Sequence, residues 1–410
     1  MNSVTKARLS AMMFLEFFIW GAWFVTMGSY LAANLHASGA QTGLAYGTQA
    51  WGAIIAPFIV GLVADRYFNA ERLLGVFHIA GGILMYTLYS SGAFGAFYPV
   101  LLGYMILYMP TLALVNAIAF RQMDDPSRHF PGLRVWGTIG WIVAGLVISY
   151  LFAWDSHAGI AQGLLRQTFL MSSVASFVLG VYAFTLPRTP PQPAAGEGGG
   201  SLGRLLGFDA LVLLKERNYA VFFAASVLIC IPLAFYYQNA NQFLTEIQVA
   251  NATGKQTIGQ MSEVLFMLLL PLFLRTFGMK ATLLVGMLAW ALRYLLFAFG
   301  NAHELAFMLI IGIALHGVCY DFFFVSGQIY TDSKAGAAHK AAAQGLITLA
   351  TYGLGMLVGF WAAGLIDDQY AAHGVHDWKS IWLYPAAFAA VVFVLFAASF
   401  RNEKVAYAGS

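Results

Sequence analysis

Apolar residues fall in long blocks along this chain, each closed by a short polar break. A membrane-crossing helix needs about 20 mainly apolar residues. Twelve runs of that kind can be read, at about 10–34, 43–64, 73–92, 97–120, 132–153, 166–186, 219–245, 257–277, 281–300, 304–328, 340–365 and 380–400. The junction around Gly278, between the eighth and ninth, is tight. The first run is too long for the apolar part of a signal peptide and has no small-residue cleavage site, so it is expected to stay as a span.

The basic residues orient these runs, because Lys and Arg collect on the cytoplasmic side. With the N-terminus inside, the inner segments hold 16 of the 21 basic residues, and the outer loops hold only Arg166, Lys255 and Lys379. The other two, Arg134 and Arg293, lie within spans. The alternation predicts that both termini are cytoplasmic. The longest inner segment, 187–218, opens with TLPRTPPQPAAGEGGGSLG. Its Pro and Gly make it a linker between a six-span half (1–186) and a second six-span half (219–410), and its later part, SLGRLLGFDALVLLKERN, could form a short amphipathic helix on the cytoplasmic face. ADRYFNAERLL after the second span resembles FLRTFGMKATLL after the eighth when Arg66 is set against Arg275, which fits paired repeats.

Composition narrows the class further. The chain is 60% hydrophobic and only 10% charged, whereas soluble domains are about half apolar and about a quarter charged. So little charge cannot clothe a soluble surface, and the predicted fold is an all-α integral membrane protein. A net charge of +3 is too weak and dispersed for nucleic acid. Cys230 and Cys319 sit in apolar runs and read as small hydrophobes. No metal-ligand spacing, nucleophile elbow or phosphate loop is present, so no enzyme, metal or cofactor is expected.

Polar groups at bilayer depth are costly and are therefore functional candidates, although helix-bridging hydrogen bonds and snorkelling compete as explanations. Arg134, Thr138 and Trp141 are spaced i, i+4, i+7 and share one face of the fifth span. A guanidinium, a hydroxyl and an aromatic plane together suit a polar, ring-bearing ligand. Gly137 and Gly140 on the neighbouring face would let a helix approach. Gln260 and Glu263, at i and i+3 in the eighth span, can read hydroxyls or the edge of a base. His316 and Tyr320 are i, i+4 in the tenth span, beside Asp321, an aspartate among aromatics that suits a proton-coupled carrier. Tyr237, Gln238 and Asn241 near the end of the seventh span are further candidates. Glu16, in line with Trp20 and Trp23 in the first span, is either a proton relay or a structural bond. His78 and Arg293 read as structural.

Over its whole length the chain resembles the bacterial nucleoside–proton symporters of the major facilitator superfamily. The matching stretches are IWGAWFVTMGSY, GLVADRYF, YMPTLALVNAI, RVWGTIGW, LLGFDAL, QMSEVLF, AWALRYLLFAFG, YDFFFVSG and AAQG. The resemblance implies twelve helices in two halves, a central nucleoside site between them, alternating access and proton coupling. It implies substrate-binding roles for Arg134, Thr138, Trp141, Gln260, Glu263 and Tyr320. Asp321 is the expected coupling carboxylate, paired with Arg134 in one state, with Glu263 and Glu16 as further coupling candidates. The chain departs from the family pattern at Glu16 (Gln in the family), Trp141 and Tyr320 (Phe) and His316 (Tyr), and Phe68 stands where the superfamily has a loop glycine after the Asp-Arg pair. The expected partners are nucleosides and the lipid bilayer of a bacterial inner membrane, the coupling ion is the proton, and a monomer is expected. A sugar or glycoside–proton symporter of the same fold is the alternative. A sensor would need an appended soluble domain, for which the 32-residue linker 187–218 is too short, and an enzyme would need a catalytic constellation, which does not appear.

Overall fold

The computed structural model describes residues 2–60, 67–124, 126–191, 208–372 and 374–403, with the side chains of 126–128 and 336–341 left aside. Arg66, and with it one side of the repeat match, lies outside the described residues, as does 192–207 of the linker.

The chain divides into two units, Met1–Gly199 with Ala250–Thr257, and Gly200–Val249 with Ile258–Ser410. In the first, Asn2 starts helix α1 (Ser3–Gly21) by accepting the Thr5 N–H at 2.7 Å. A short turn-like stretch then leads into α2 (Met27–Leu35). Ser38 and Gln41 form a reciprocal capping box at the start of α3 (Gly39–Ile59), which satisfies two backbone donors that the first turn would leave orphaned. Then come α4 (Ala70–Ser90), α5 (Phe94–Arg121), α6 (Pro126–Leu146), a π-helical turn (Val147–Leu151) and α7 (Gln167–Ala183). Helix α1 packs on α6 and α7, α4 on α5 and α7, and α3 on α5.

The second unit holds α8 (Arg217–Glu246), most of α9 (Ala252–Phe299), α10 (Ala306–Cys319), α11 (Ser326–Thr348), α12 (Met356–Gln369) and α13 (Trp378–Ser399). A two-residue-per-strand hairpin, β1 (Ala371–Ala372) with β2 (Val375–His376), joins the last two helices. π-Helical segments at Tyr320–Val325 and Leu349–Gly355 interrupt the α geometry.

Nine helices among the described residues are long and apolar enough to cross a membrane. One of them, α9, is 48 residues long and breaks at Gly278 (φ 77°, ψ 176°), a backbone conformation that costs glycine little, so it supplies two crossings. Helices α1 and α2 together as one interrupted crossing, and α3 as another, bring the ten to the expected twelve; their Lys, Arg, Glu, Gln, Thr and Gly content dilutes the hydropathy. One difference concerns 329–339, a loop by its polarity, which continues α11 as helix. Its Ala and Lys are strong helix formers, and polarity alone does not stop a helix. The amphipathic helix expected after the linker is, in its described part, a 3₁₀ helix (Phe208–Lys215). Its Ala210 packs with Ala335, Ala343 and Leu346.

Helices α1 and α6 touch closely because glycine lines the seam. A Cβ on Gly140 would lie 2.2 Å from the Phe14 carbonyl oxygen, and one on Gly137 would lie 2.6 Å from the Phe17 ring. Gly103, by contrast, would meet only Leu84, at 3.9 Å. Gly140→Ala should therefore destabilise the protein by about 1–3 kcal/mol through overpacking, read as a lower melting temperature in detergent. Gly103→Ala should be neutral or slightly stabilising. Equal melting temperatures for the two variants would contradict the close seam.

Candidate functional site

In the N-terminal unit, the predicted face of α6 turns toward α1. The Arg134 guanidinium lies 4.0 Å from the centre of the Phe17 ring, a cation–π contact that offsets part of the cost of a charge in a span. Seven residues on, Trp141 meets Trp20 edge-to-face at 5.6 Å and Phe24 at 6.4 Å. Trp20 also meets Tyr108 at 5.6 Å. Thr138, between Arg134 and Trp141, is half-buried. The outcome is a face with one cation, one hydroxyl and several ring planes.

Glu16, one turn from Trp20, is fully buried. Its Oε1 accepts the Thr111 hydroxyl at 2.6 Å, its Oε2 meets His78 Nε2 at 2.8 Å, and its carbonyl accepts Tyr108 at 2.7 Å. One carboxylate thus ties α1 to α4 and α5. His78, read from sequence as structural, is the partner that completes this network.

In the C-terminal unit, His316 is the hub of the cluster. Its ring stacks on Tyr236 at 5.5 Å and lies 5.9 Å from the Tyr320 ring. Its Nδ1 is 3.3 Å from Arg293, and its Nε2 is 4.0 Å from a Glu263 carboxylate oxygen. Arg293 is fully buried, with its guanidinium 3.4 Å over the Tyr236 ring. Gly259 and Gly317 allow this convergence. A Cβ on Gly317 would lie 2.5 Å from the Ser262 backbone, and the Gly317 N–H instead donates to the Ser262 hydroxyl at 3.0 Å. Glu263 is thereby brought beside His316, while Gln260 and Tyr237 are half-buried.

Asp321 lies in the π-helical segment after α10 and is fully buried. Both its carboxylate oxygens lack a hydrogen-bond partner among the described residues. Its neighbour Tyr320 shares a 2.7 Å hydroxyl–hydroxyl bond with Tyr352, in another π-helical segment. π-Bulges of this kind recur at functional sites.

Gln238 takes a place that its spacing did not suggest. Its amide nitrogen donates to Asp367 Oδ2 at 2.8 Å, and that of Asn239 donates to Oδ1 at 2.8 Å. Both residues are fully buried, so a carboxylate bridges α8 and α12, and Asn241, one turn along, is buried as well. Asp367, Asn239, Tyr236 and Tyr352 were not picked out from sequence. The one available signal was the Asp367–Asp368 pair directly after an apolar run, but the expected span ended at 365. Among the described residues no group of three or more His, Cys, Asp or Glu could hold a metal.

By its family and its relatives the chain is a multi-pass membrane transporter of the major facilitator type and not an enzyme. The chain belongs to the nucleoside H+ symporter family, whose sequence model matches residues 3–405. It is 43% identical over 407 residues to the putative nucleoside transporter YegT of Escherichia coli K12, covering 97% of this chain and 94% of that protein. It is 34% identical to the xanthosine permease of the same organism over 96% of this chain and 95% of that protein. The crystal structure of the nucleoside transporter NupG superposes with a TM-score of 0.86 at 31% identity, over 98% of this chain and all of that one. A D-xylose–proton symporter shares the fold at a TM-score of 0.72 and 14% identity, over 98% of this chain and 99% of that one.

Beside the Asp367 bridge, the hairpin is latched to the end of α8. His376 donates from Nδ1 to one Glu246 oxygen at 2.8 Å and from its backbone N–H to the other at 2.7 Å. Burial alone would lower the His376 pKa, but the hydrogen bond and charge of Glu246, with Asp367 and Asp368, raise it above the ordinary 6.5. A group whose pKa is raised on folding stabilises the fold fully below its unfolded pKa and loses that contribution as pH rises through the folded value. The melting-temperature gap between wild type and His376→Gln should therefore be widest on the acid side of about 6.5 and shrink as the pH is raised. A gap that stays constant with pH would contradict the ion pair.

Proposed function

We propose that the protein imports nucleosides together with protons across a bacterial inner membrane, with both termini cytoplasmic. The observation that carries the coupling is Asp321, a buried carboxyl whose two oxygens have no hydrogen-bond partner among the described residues. A carboxyl so placed gains most from carrying a proton, because an unpaired charge in an apolar interior is expensive. Family membership and the nucleoside transporters among its relatives support the substrate class.

In the N-terminal unit, Trp141 and the rings around it offer planes for a base, while Arg134 and Thr138 offer a cation and a hydroxyl. In the C-terminal unit, Tyr237, Gln260, Glu263, His316 and Tyr320 supply directional donors and acceptors of the kind that ribose hydroxyls and base edges require. Gln238 serves this group by holding Asp367 in place. Glu16 has both carboxylate oxygens engaged and serves best as the tie between α1, α4 and α5. Proton coupling therefore falls to Asp321 ahead of Glu16.

Uptake by purified protein in proteoliposomes tests this reading. Labelled uridine should accumulate when an inward proton gradient is imposed, and labelled sugars should not. Accumulation of sugars alone would overturn the nucleoside reading, and uridine accumulation indifferent to collapse of the gradient would overturn coupling. Gln260→Ala and Glu263→Ala should each weaken uridine binding by about 1–3 kcal/mol, the cost of leaving a desolvated partner unmatched, or roughly 5- to 150-fold. Unchanged affinity in both would mean that this face packs only against protein.

A further inference from the structure

Arg293 is the least explained charge in the C-terminal unit. It is fully buried, it lies on the tightly packed second half of α9, and its Nε and one terminal nitrogen have no partner among the described residues. Taking a guanidinium out of water costs several kcal/mol unless its surroundings repay it. Here the repayment consists of the Tyr236 ring at 3.4 Å, the flanks of Trp290 at 5.7 Å and Phe297 at 5.9 Å, and one hydrogen bond, to His316 Nδ1 at 3.3 Å.

That bond determines the state of the histidine. A guanidinium has five N–H donors and no acceptor, so Arg293 must be the donor and Nδ1 the acceptor. A ring that accepts at Nδ1 is neutral and carries its proton on Nε2. Nε2 is the nitrogen that faces Glu263, 4.0 Å away. That separation is too long for a direct hydrogen bond. Two bonds of about 2.8 Å that converge on one hydroxyl oxygen near the tetrahedral angle would hold their outer atoms about 4.5 Å apart. His316 and Glu263 therefore stand at nearly the spacing at which a donor and an acceptor share a single hydroxyl.

We infer that Arg293 is a positioning residue for substrate selection: it holds His316 as the Nε2–H tautomer, so that His316 and Glu263 together clamp one ribose hydroxyl, as donor and acceptor respectively. The inference rests on the nucleoside reading and adds to it a discrimination between ribonucleosides and their deoxy analogues. Without Arg293 the imidazole is free to place its proton on either nitrogen. The tautomer facing Glu263 with a bare lone pair sets two acceptors against each other and cannot hold the hydroxyl.

The test compares uptake of uridine, 2′-deoxyuridine and 3′-deoxyuridine in proteoliposomes. Wild type should prefer uridine over at least one deoxy analogue in kcat/KM. Arg293→Met should reduce that preference about five- to tenfold, the worth of a single hydrogen bond. Adding His316→Gln to Arg293→Met should restore it, because a carboxamide presents its N–H without a tautomer to choose. Should Arg293→Met fail to fold, ¹⁵N-histidine spectra of the wild-type protein, assigned against His316→Gln, report the tautomer directly and should show Nε2–H. Transport of uridine with an unaltered preference in Arg293→Met, or a His316 signal from the Nδ1–H or doubly protonated form, would overturn the inference. Failure of the wild type to transport any nucleoside would instead overturn the reading beneath it.

Discussion

Hydrocarbon offers no hydrogen bonds, so a polar side chain at depth must find its partner elsewhere in the same chain. Several carboxylates and cations in these spans are met by long-range ties between helices. Glu16 is met by Thr111 and His78, and Asp367 by Gln238 and Asn239. Arg293 is met by aromatic faces and His316. Each tie costs desolvation and is tolerated because both partners are held in place. Removing one partner would strand the other, which is why such networks specify how helices pack more than they stabilise them.

Among the described buried carboxylates Asp321 stands apart, since both its oxygens lack a hydrogen-bond partner among the described residues. The exception falls at a break in α-helical geometry, next to Tyr320 and its bond to Tyr352. Glu16 and Asp367 have side-chain donors on both oxygens, and Asp321 has none among the described residues. A transporter that couples solute to protons needs such a group, one whose charge the surrounding protein does not already balance.

Much of this was legible in the sequence, and the limits have physical causes. Helical spacing was enough to place Arg134 and Trp141 on one face of α6, and the structure turns that face to α1. Glycine at 137 and 140 foretold a close helix approach, and α1 fills it. Periodicity identifies a face but not what lies opposite it, so the partners of Glu16, Gln238 and Arg293 could not be read. They come from helices 62, 129 and 23 residues away along the chain. Asp367 was missed because an apolar-run criterion ends the span two residues too early, and the helical course of 329–339 was missed because polarity does not by itself break a helix. His78 and Arg293 were set aside as structural, and the structure makes each the direct partner of a candidate residue.

The departures from the family pattern gain meaning from these contacts. Glu16 carries two side-chain hydrogen bonds. Trp141 extends an edge-to-face ring series, and His316 brings a tautomeric ring between Arg293 and Glu263. The account stands or falls on Asp321 as the proton carrier. The most direct measurement sets gradient-driven accumulation of uridine against gradient-free exchange of labelled for unlabelled uridine, in proteoliposomes containing Asp321→Asn. A carboxamide keeps the shape but cannot take up or release a proton at working pH, so accumulation should disappear while exchange continues. Full proton-driven accumulation by this variant would contradict the account and move the coupling role to Glu263 or Glu16.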